Sequence, residues 1–351
     1  MNAKKYYSFL TLLLISVLSL ALVGCSDKEA DTDSKEAADS TDSEETAGEY
    51  PIVIKHAFGE TTIEEKPERV ATIAWSNQDV ALALGVVPVG FSAANYGVQD
   101  DSGLLPWTAE ALKELGEENP NVFQDTDGLD FEAIADSNPD VILAAYSGIT
   151  QEDYDTLSEI APVVAYQDIP WVTSWRDQVK YNSMGMGLEK EGQQLIADTE
   201  KLIADKANEH PELKGIKATF GMFNVTDLSK FYIYTPADPR GEFLEELGME
   251  YPEGIKAQIT DDSSFYLELS AENADALNDT EMFVVYGDDN TLAALQADPI
   301  LGKVPAIENG NVVVIEDNTP LAAAGTPSPL SIKYTIDDYL SLLSDVAKNV
   351  K

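Results

Sequence analysis

The sequence predicts an α/β fold of two lobes, each with a mainly parallel sheet, joined by a long helical segment. Three observations carry this expectation. Short apolar strands alternate with helix-length stretches over residues 70–166, and again over 218–315. Between them, residues 174–209 carry no turn signal outside Gly185–Gly187, and Leu195, Ile196, Leu202 and Ile203 recur at helical spacing. Finally, Leu129, Glu132, Asn138 and Tyr146 recur 140 positions later as Leu269, Glu272, Asn278 and Tyr286, in equivalent elements of the two halves.

The N-terminus is of a different kind. Lys4 and Lys5 precede a mostly apolar run, Phe9 to Val23. A run of that length is too short for a membrane span, which needs about 20 residues, and suits a secretory signal. It ends Leu22-Val23-Gly24-Cys25, which resembles the lipobox of bacterial lipoproteins. Residues 1–25 are therefore expected to be a signal peptide, with Cys25 lipidated and the chain anchored at the extracytoplasmic face of the membrane. Cys25 is the single cysteine, so no internal disulfide is possible. Residues 26–50 hold ten acids, two lysines and almost no large apolar group, and are expected to be a disordered acidic tether.

A β-hairpin is expected next (Ile52–Ala57, turn at Gly59, Thr61–Ile63), with His56 at its surface. Then follow a strand at 70–74, a helix from Asn77 to Leu84 capped by Ser76, and a strand at 86–91. A short helix at 130–136, a buried strand at 141–145, a capping box at Thr150 opening helix 151–160 and a strand at 163–166 complete the N-terminal lobe, residues 51–170. Linking helices occupy 171–210, the second ending near Glu209 before Pro211. The C-terminal lobe, 211–351, repeats the pattern with strands at 218–223, 282–286 and 312–315 and helices at 241–247 and 332–347.

Composition excludes some functions. The net charge is −41, of which −35 falls on residues 51–351, so nucleic acid is not a partner. No G-x-S-x-G elbow is present, and His56 and His210 are the only histidines. A catalytic triad or a histidine-ligated metal site is not expected, and no enzyme activity is expected.

In open α/β sheets, ligands bind beyond the carboxyl ends of the strands. The residues there are Trp75-Ser76-Asn77, Ala94-Asn95-Tyr96, Tyr146-Ser147-Gly148, Phe223-Asn224 and Tyr286-Gly287-Asp288. All four tryptophans (75, 107, 171 and 175) fall in predicted loops or helix starts, and at least two are expected in a cleft between the lobes. Of the three arginines, Arg69 reads as a surface residue, whereas Arg176 and Arg240 sit at helix starts, where a cation opposes the helix dipole. Both would suit an anionic ligand.

Several segments together resemble the substrate-binding lipoproteins of ferric-siderophore ABC importers, nearest the ferric-enterobactin branch. They include Lys66-Pro67-Glu68-Arg69-Val70, Ala83-Leu84-Gly85-Val86-Val87-Pro88-Val89-Gly90, Asn138-Pro139-Asp140-Val141-Ile142-Leu143, Tyr146-Ser147-Gly148-Ile149-Thr150-Gln151 and Asp238-Pro239-Arg240. The resemblance implies two Rossmann-like lobes on a rigid helical backbone, and a monomer that delivers a ferric siderophore to ABC permease subunits. Iron would be bound only through the siderophore, with no other cofactor. Expected ligand contacts are Trp75, Tyr96, Tyr146, Trp171, Trp175, Arg176, Arg240 and Tyr286. Haem or cobalamin on the same fold, or a surface hydrolase, are the alternatives. The two arginines favour an anionic catechol or mixed chelate. The resemblance also implies that one acid on each lobe docks onto permease arginines, and the matching positions are Glu132 and Glu272.

Overall fold

The computed structural model describes residues 50–125, 127–261 and 264–350. The expected signal peptide, Cys25 and the tether up to residue 49 lie outside the described residues. The chain opens on a hairpin of β1 (Ile52–His56) and β2 (Gly59–Ile63). The first sheet holds β3 (Val70–Thr72), β4 (Gly90–Ser92), β5 (Val122–Phe123), β6 (Val141–Ala144) and β7 (Val163–Ala165). Its order is β5-β4-β3-β6-β7 and every pairing is parallel. Helices α1 (Asn77–Ala83), α2 (Pro106–Glu114), α3 (Phe131–Asp136) and α4 (Gln151–Ser158) connect these strands. All four residues of β6 are buried, as a continuous apolar run in a parallel sheet requires.

Two helices then leave the first sheet, α5 (Trp175–Gly185) and α6 (Glu189–Asn208). The second sheet holds β8 (Ala218–Phe223), β9 (Lys230–Tyr234), β10 (Tyr266–Ser270), β11 (Met282–Gly287) and β12 (Val312–Glu316), in the order β10-β9-β8-β11-β12. Strands β8, β11 and β12 are parallel, while β9 is antiparallel to both neighbours. Around it lie α7 (Pro239–Glu246), α8 (Glu253–Lys256), α9 (Thr291–Ala297), α10 (Pro305–Glu308), α11 (Pro320–Ala323) and α12 (Pro329–Ala347). The α/β expectation of two mainly parallel sheets with long helices holds.

Both sheets carry the same switch point. In the first, the order reverses between β3 and β6, and in the second between β8 and β11. Ligands bind at the carboxyl ends of strands at such points.

Local chemistry explains several element starts. Thr150 Oγ1 accepts from Asp153 N while Asp153 accepts from Thr150 N, so the capping box forms as expected. Ser76 does not cap α1. Its φ is 53° and its hydroxyl accepts a hydrogen bond from Gln178 Nε2 on α5. Asp79 sits in the first turn of α1. It is fully buried and accepts from Trp107 Nε1 (2.8 Å), Thr108 Oγ1 (3.0 Å) and Ser328 Oγ (2.6 Å). Burial pushes its carboxyl up to about 6, against the three hydrogen bonds. Asp79 thereby ties α1 and α2 to the start of α12, which packs on α1, α2 and α6.

His56 is buried, not a surface residue, because Phe58 and Tyr154 cover it and Thr61 Oγ1 lies 2.9 Å from its Nε2. Arg69 is exposed in part, and its guanidinium donates to the carbonyls of Ser137 and Asn138 at the end of α3. A cation there satisfies carbonyls that the helix leaves open.

Candidate functional site

A cavity of about 550 Å³ lies at the carboxyl ends of both sheets. Six of the eight residues expected at the site line it: Trp75, Tyr96, Tyr146, Trp171, Arg240 and Tyr286. Trp75 follows β3 and Tyr146 follows β6, so the first sheet contributes from its switch point. Tyr286 is the penultimate residue of β11, at the switch point of the second. Aromatic rings meet edge to face: Tyr96 with Tyr286 at 6.3 Å and Tyr146 with Trp171 at 5.3 Å.

Two close approaches need glycine. A Cβ on Gly325 would lie 2.1 Å from Tyr286 Oη, and one on Gly148 would lie 2.2 Å from Trp171 Nε1. Both rings occupy the space that a side chain would fill.

Arg240 is the cation of the cleft. Its Nε and Nη2 both donate to Asp238 at 2.8 Å, and its guanidinium stacks 4.0 Å from the Tyr234 ring. Asp238 is fully buried and also caps α7 through Arg240 N. Arg240 Nη1 has no hydrogen-bond partner among the described residues, which leaves a donor for a ligand. Burial raises the hydroxyls of Tyr96, Tyr234 and Tyr286, and pushes Tyr146 up to about 12. Those hydroxyls are therefore protonated at neutral pH, and none is a phenolate.

The lobes touch across one edge of the cavity. Tyr96 Oη donates to Asp317 Oδ1 (2.5 Å), Gly97 N to Asn318 Oδ1 (2.8 Å) and Gln99 Nε2 to Asn318 O (2.9 Å). A packed cluster of Leu105, Trp107, Ala323 and Ala324 adjoins this edge.

Trp175 and Arg176 stand elsewhere. Trp175 is 2% exposed in the core, and its Nε1 donates to Glu246. Arg176 reaches Glu246 with Nη1 (2.7 Å) and Nη2 (3.1 Å) and Glu200 with Nε (2.6 Å). These contacts fasten α5 to α7 and α6, and every nitrogen of the guanidinium is engaged. Neither residue lines the cleft, which corrects the expectation for both. Of the four tryptophans, Trp75 and Trp171 line the cavity while Trp107 and Trp175 are structural.

Met222, Tyr234, Phe265, Asp317 and Thr326 also line the cavity and were not expected there. Asp317 follows β12, so the strand-end rule already applied to the other strands would have found it. Glu132 and Glu272 are both exposed, in the first turns of α3 and of a 3-10 turn at Ala271–Leu277.

Two lobes with an aromatic cavity between paired switch points define a class, the two-lobed solute-binding proteins. The chain belongs to the periplasmic binding protein family, whose model matches residues 70–319. It is 58% identical to PiaA of Streptococcus pneumoniae TIGR4 in its crystal structure with ferrichrome, with a TM-score of 0.83 over 86% of this chain and 100% of that one. It is 28% identical over 284 residues to the ferric enterobactin-binding periplasmic protein FepB of Escherichia coli O6:H1, covering 78% of this chain and 86% of that one. Staphylococcus aureus SirA complexed with staphyloferrin B is 25% identical, with a TM-score of 0.65 over 83% of this chain and 98% of that one. Family members of this kind bind and hand over solutes in transport.

Proposed function

We propose that this protein captures an intact ferric siderophore outside the cytoplasm and delivers it to an ABC permease for iron uptake. The observation that carries the reading is the aromatic cavity at the paired switch points, with protonated tyrosines and one free guanidinium nitrogen. Neutral tyrosine hydroxyls and a guanidinium N–H hydrogen-bond to the outer oxygens of a chelate without competing for its metal. The metal accordingly stays in its chelate, and the protein grips the organic shell. The identity to a protein crystallised with ferrichrome supports the same reading.

The charge of the cleft favours a neutral ferric hydroxamate and argues against the anionic catechol or mixed chelate that the arginine count suggested. Arg176 is occupied by Glu246 and Glu200, and Arg240 is balanced by Asp238. Asp317 then adds an acid at the edge of the cavity. A highly anionic tris-catecholate would meet no net positive charge. Hydroxamate oxygens need only donors, which Arg240 Nη1 and the tyrosines supply.

A fluorescence titration of the purified protein tests this. Ferric chelates quench nearby indoles, and Trp75 and Trp171 line the cavity. Ferrichrome is expected to quench saturably and to bind at least tenfold tighter than ferric enterobactin, haem or cobalamin. Absence of saturable quenching by any ferric siderophore would remove the function, and tighter binding of enterobactin would reverse the ligand class.

The same reading places a lipid on Cys25. Cys25→Ser is expected to block processing of the signal or to release the protein from the membrane fraction, with ferrichrome affinity unchanged. Processing and membrane fractionation both unchanged in the variant would dismiss the anchor.

A further inference from the structure

A second cavity, of about 340 Å³, adjoins the cleft in the N-terminal lobe and shares Trp75, Asn95 and Trp171 with it. Trp171 is the partition between the two. Its backbone has a φ of 62° and its N–H donates to Ser147 O (3.1 Å). The indole is 38% exposed and rests on Gly148 and Tyr146 on its other side.

The compartment has two kinds of wall. Ala74, Ala93, Leu129 and Ile149 give it an apolar lining, with the two indoles at its entrance. Its polar end is Asp125, whose carboxylate accepts from the buried Ser92 hydroxyl. Asp153 also lines the space, but its Oδ2 already accepts from Thr150 N and Oγ1. No lysine, arginine or histidine is among the lining residues, and Asp125 has no ion-pair partner among the described residues. Burial raises its carboxyl above the ordinary range, as expected for a charge without a counter-ion.

Apolar walls, two indoles and two carboxylates without an ion-pair partner among the described residues, Asp125 at the inner end and Asp153 held by Thr150, are complementary to a short alkylammonium group. We propose that this compartment takes an alkylammonium arm carried by the ferric hydroxamate whose chelate sits in the main cleft. Methylenes would lie along the apolar walls past Trp75 and Trp171, and the ammonium would reach Asp125. This rests on the hydroxamate reading above and narrows it: among ferric hydroxamates, those with a basic arm bind best.

The experiment uses ferric desferrioxamine B, its N-acetyl derivative and ferrichrome against the purified protein. The first two differ only in the terminal ammonium, and ferrichrome has no such arm. The wild type is expected to bind the ammonium form at least fivefold tighter than the acetylated one. Asp125→Asn is expected to bring the two within twofold and to leave ferrichrome affinity unchanged. Leu129→Trp, which fills the compartment, is expected to weaken ferric desferrioxamine B at least fivefold and ferrichrome less than twofold. Equal affinity of the wild type for the ammonium and acetylated forms would overturn the arm site while ferrichrome binding still supported the siderophore reading. A preference that persists in Asp125→Asn would overturn the assignment to this compartment. Failure of all three chelates to bind would overturn the siderophore reading itself.

Discussion

Arg240→Ala is expected to destabilise the protein by about 3–5 kcal/mol and to weaken ferrichrome binding at least tenfold. The stability loss follows from Asp238, whose side chain is 1% exposed and whose two oxygens both pair with this guanidinium. Removing the arginine leaves a buried carboxylate without a counter-charge, and Tyr234 loses the cation over its face. The affinity loss has a separate origin in Nη1, the nitrogen left for the ligand. The double variant Asp238→Ser/Arg240→Leu separates the two. Serine keeps a cap for α7 and removes the buried charge, so most of the stability should return while affinity does not. Arg176→Ala supplies the contrast. It breaks partly exposed pairs to Glu246 and Glu200, for which about 1 kcal/mol or less each is expected after solvent screening, and leaves affinity within twofold. Denaturant unfolding and quenching titrations read both quantities. Wild-type affinity in Arg240→Ala would take the guanidinium out of the site.

These two arginines also mark where sequence reasoning stopped. Each stands at a helix start, and each reads there as a cation awaiting an anion. The partner of Arg240 is two positions away in Asp238-Pro239-Arg240, within local reach. The partners of Arg176 are Glu200 and Glu246, 24 and 70 positions on, and only the packing of α5 against α6 and α7 brings them together. Local spacing carries no information about that. The parallel strands were legible because a buried strand must be an apolar run, as Val141–Ala144 is. The β9–β10 ribbon was not, since its strands mix Lys230 and Glu268 with aromatics on a half-exposed face. Helix α2 was missed because Pro106 and Trp107 read as a loop, whereas proline at the first helical position is well tolerated. The lining residues Trp75, Tyr146 and Tyr286 were legible because strand ends converge wherever a parallel sheet forms. Tyr234 lines the same cavity from an antiparallel strand, which the strand-end rule does not cover.

Glu132→Arg together with Glu272→Arg is expected to abolish siderophore-dependent iron uptake in whole cells, with ligand affinity unchanged. Both side chains are exposed and have no hydrogen-bond or ion-pair partner among the described residues, so the fold makes little use of their charge. Their placement is matched as well. Leu129, just before α3, lines the compartment beside the cleft, so Glu132 stands near the rim of the first lobe. Ser270 ends β10 opposite Lys230, which lies beside the carboxyl end of β8 through β9, so Glu272 stands at the same end of the second sheet. Both acids thus stand toward the carboxyl ends of their sheets, the side on which the cavity lies, and docking there onto permease arginines is the reading the double variant tests. The bland alternative is a pair of first-turn charges, each worth about 0.3–1 kcal/mol against the helix dipole. Reversal would then lower thermal stability slightly and nothing more. Docking through charge reversal gives a different pattern: wild-type quenching by ferrichrome, a small stability loss and uptake at the level of a strain lacking the protein. It also predicts partial recovery when permease arginines are changed to glutamate, because the attraction is restored with its signs exchanged. Normal uptake in the double variant would reduce both residues to helix-start charges.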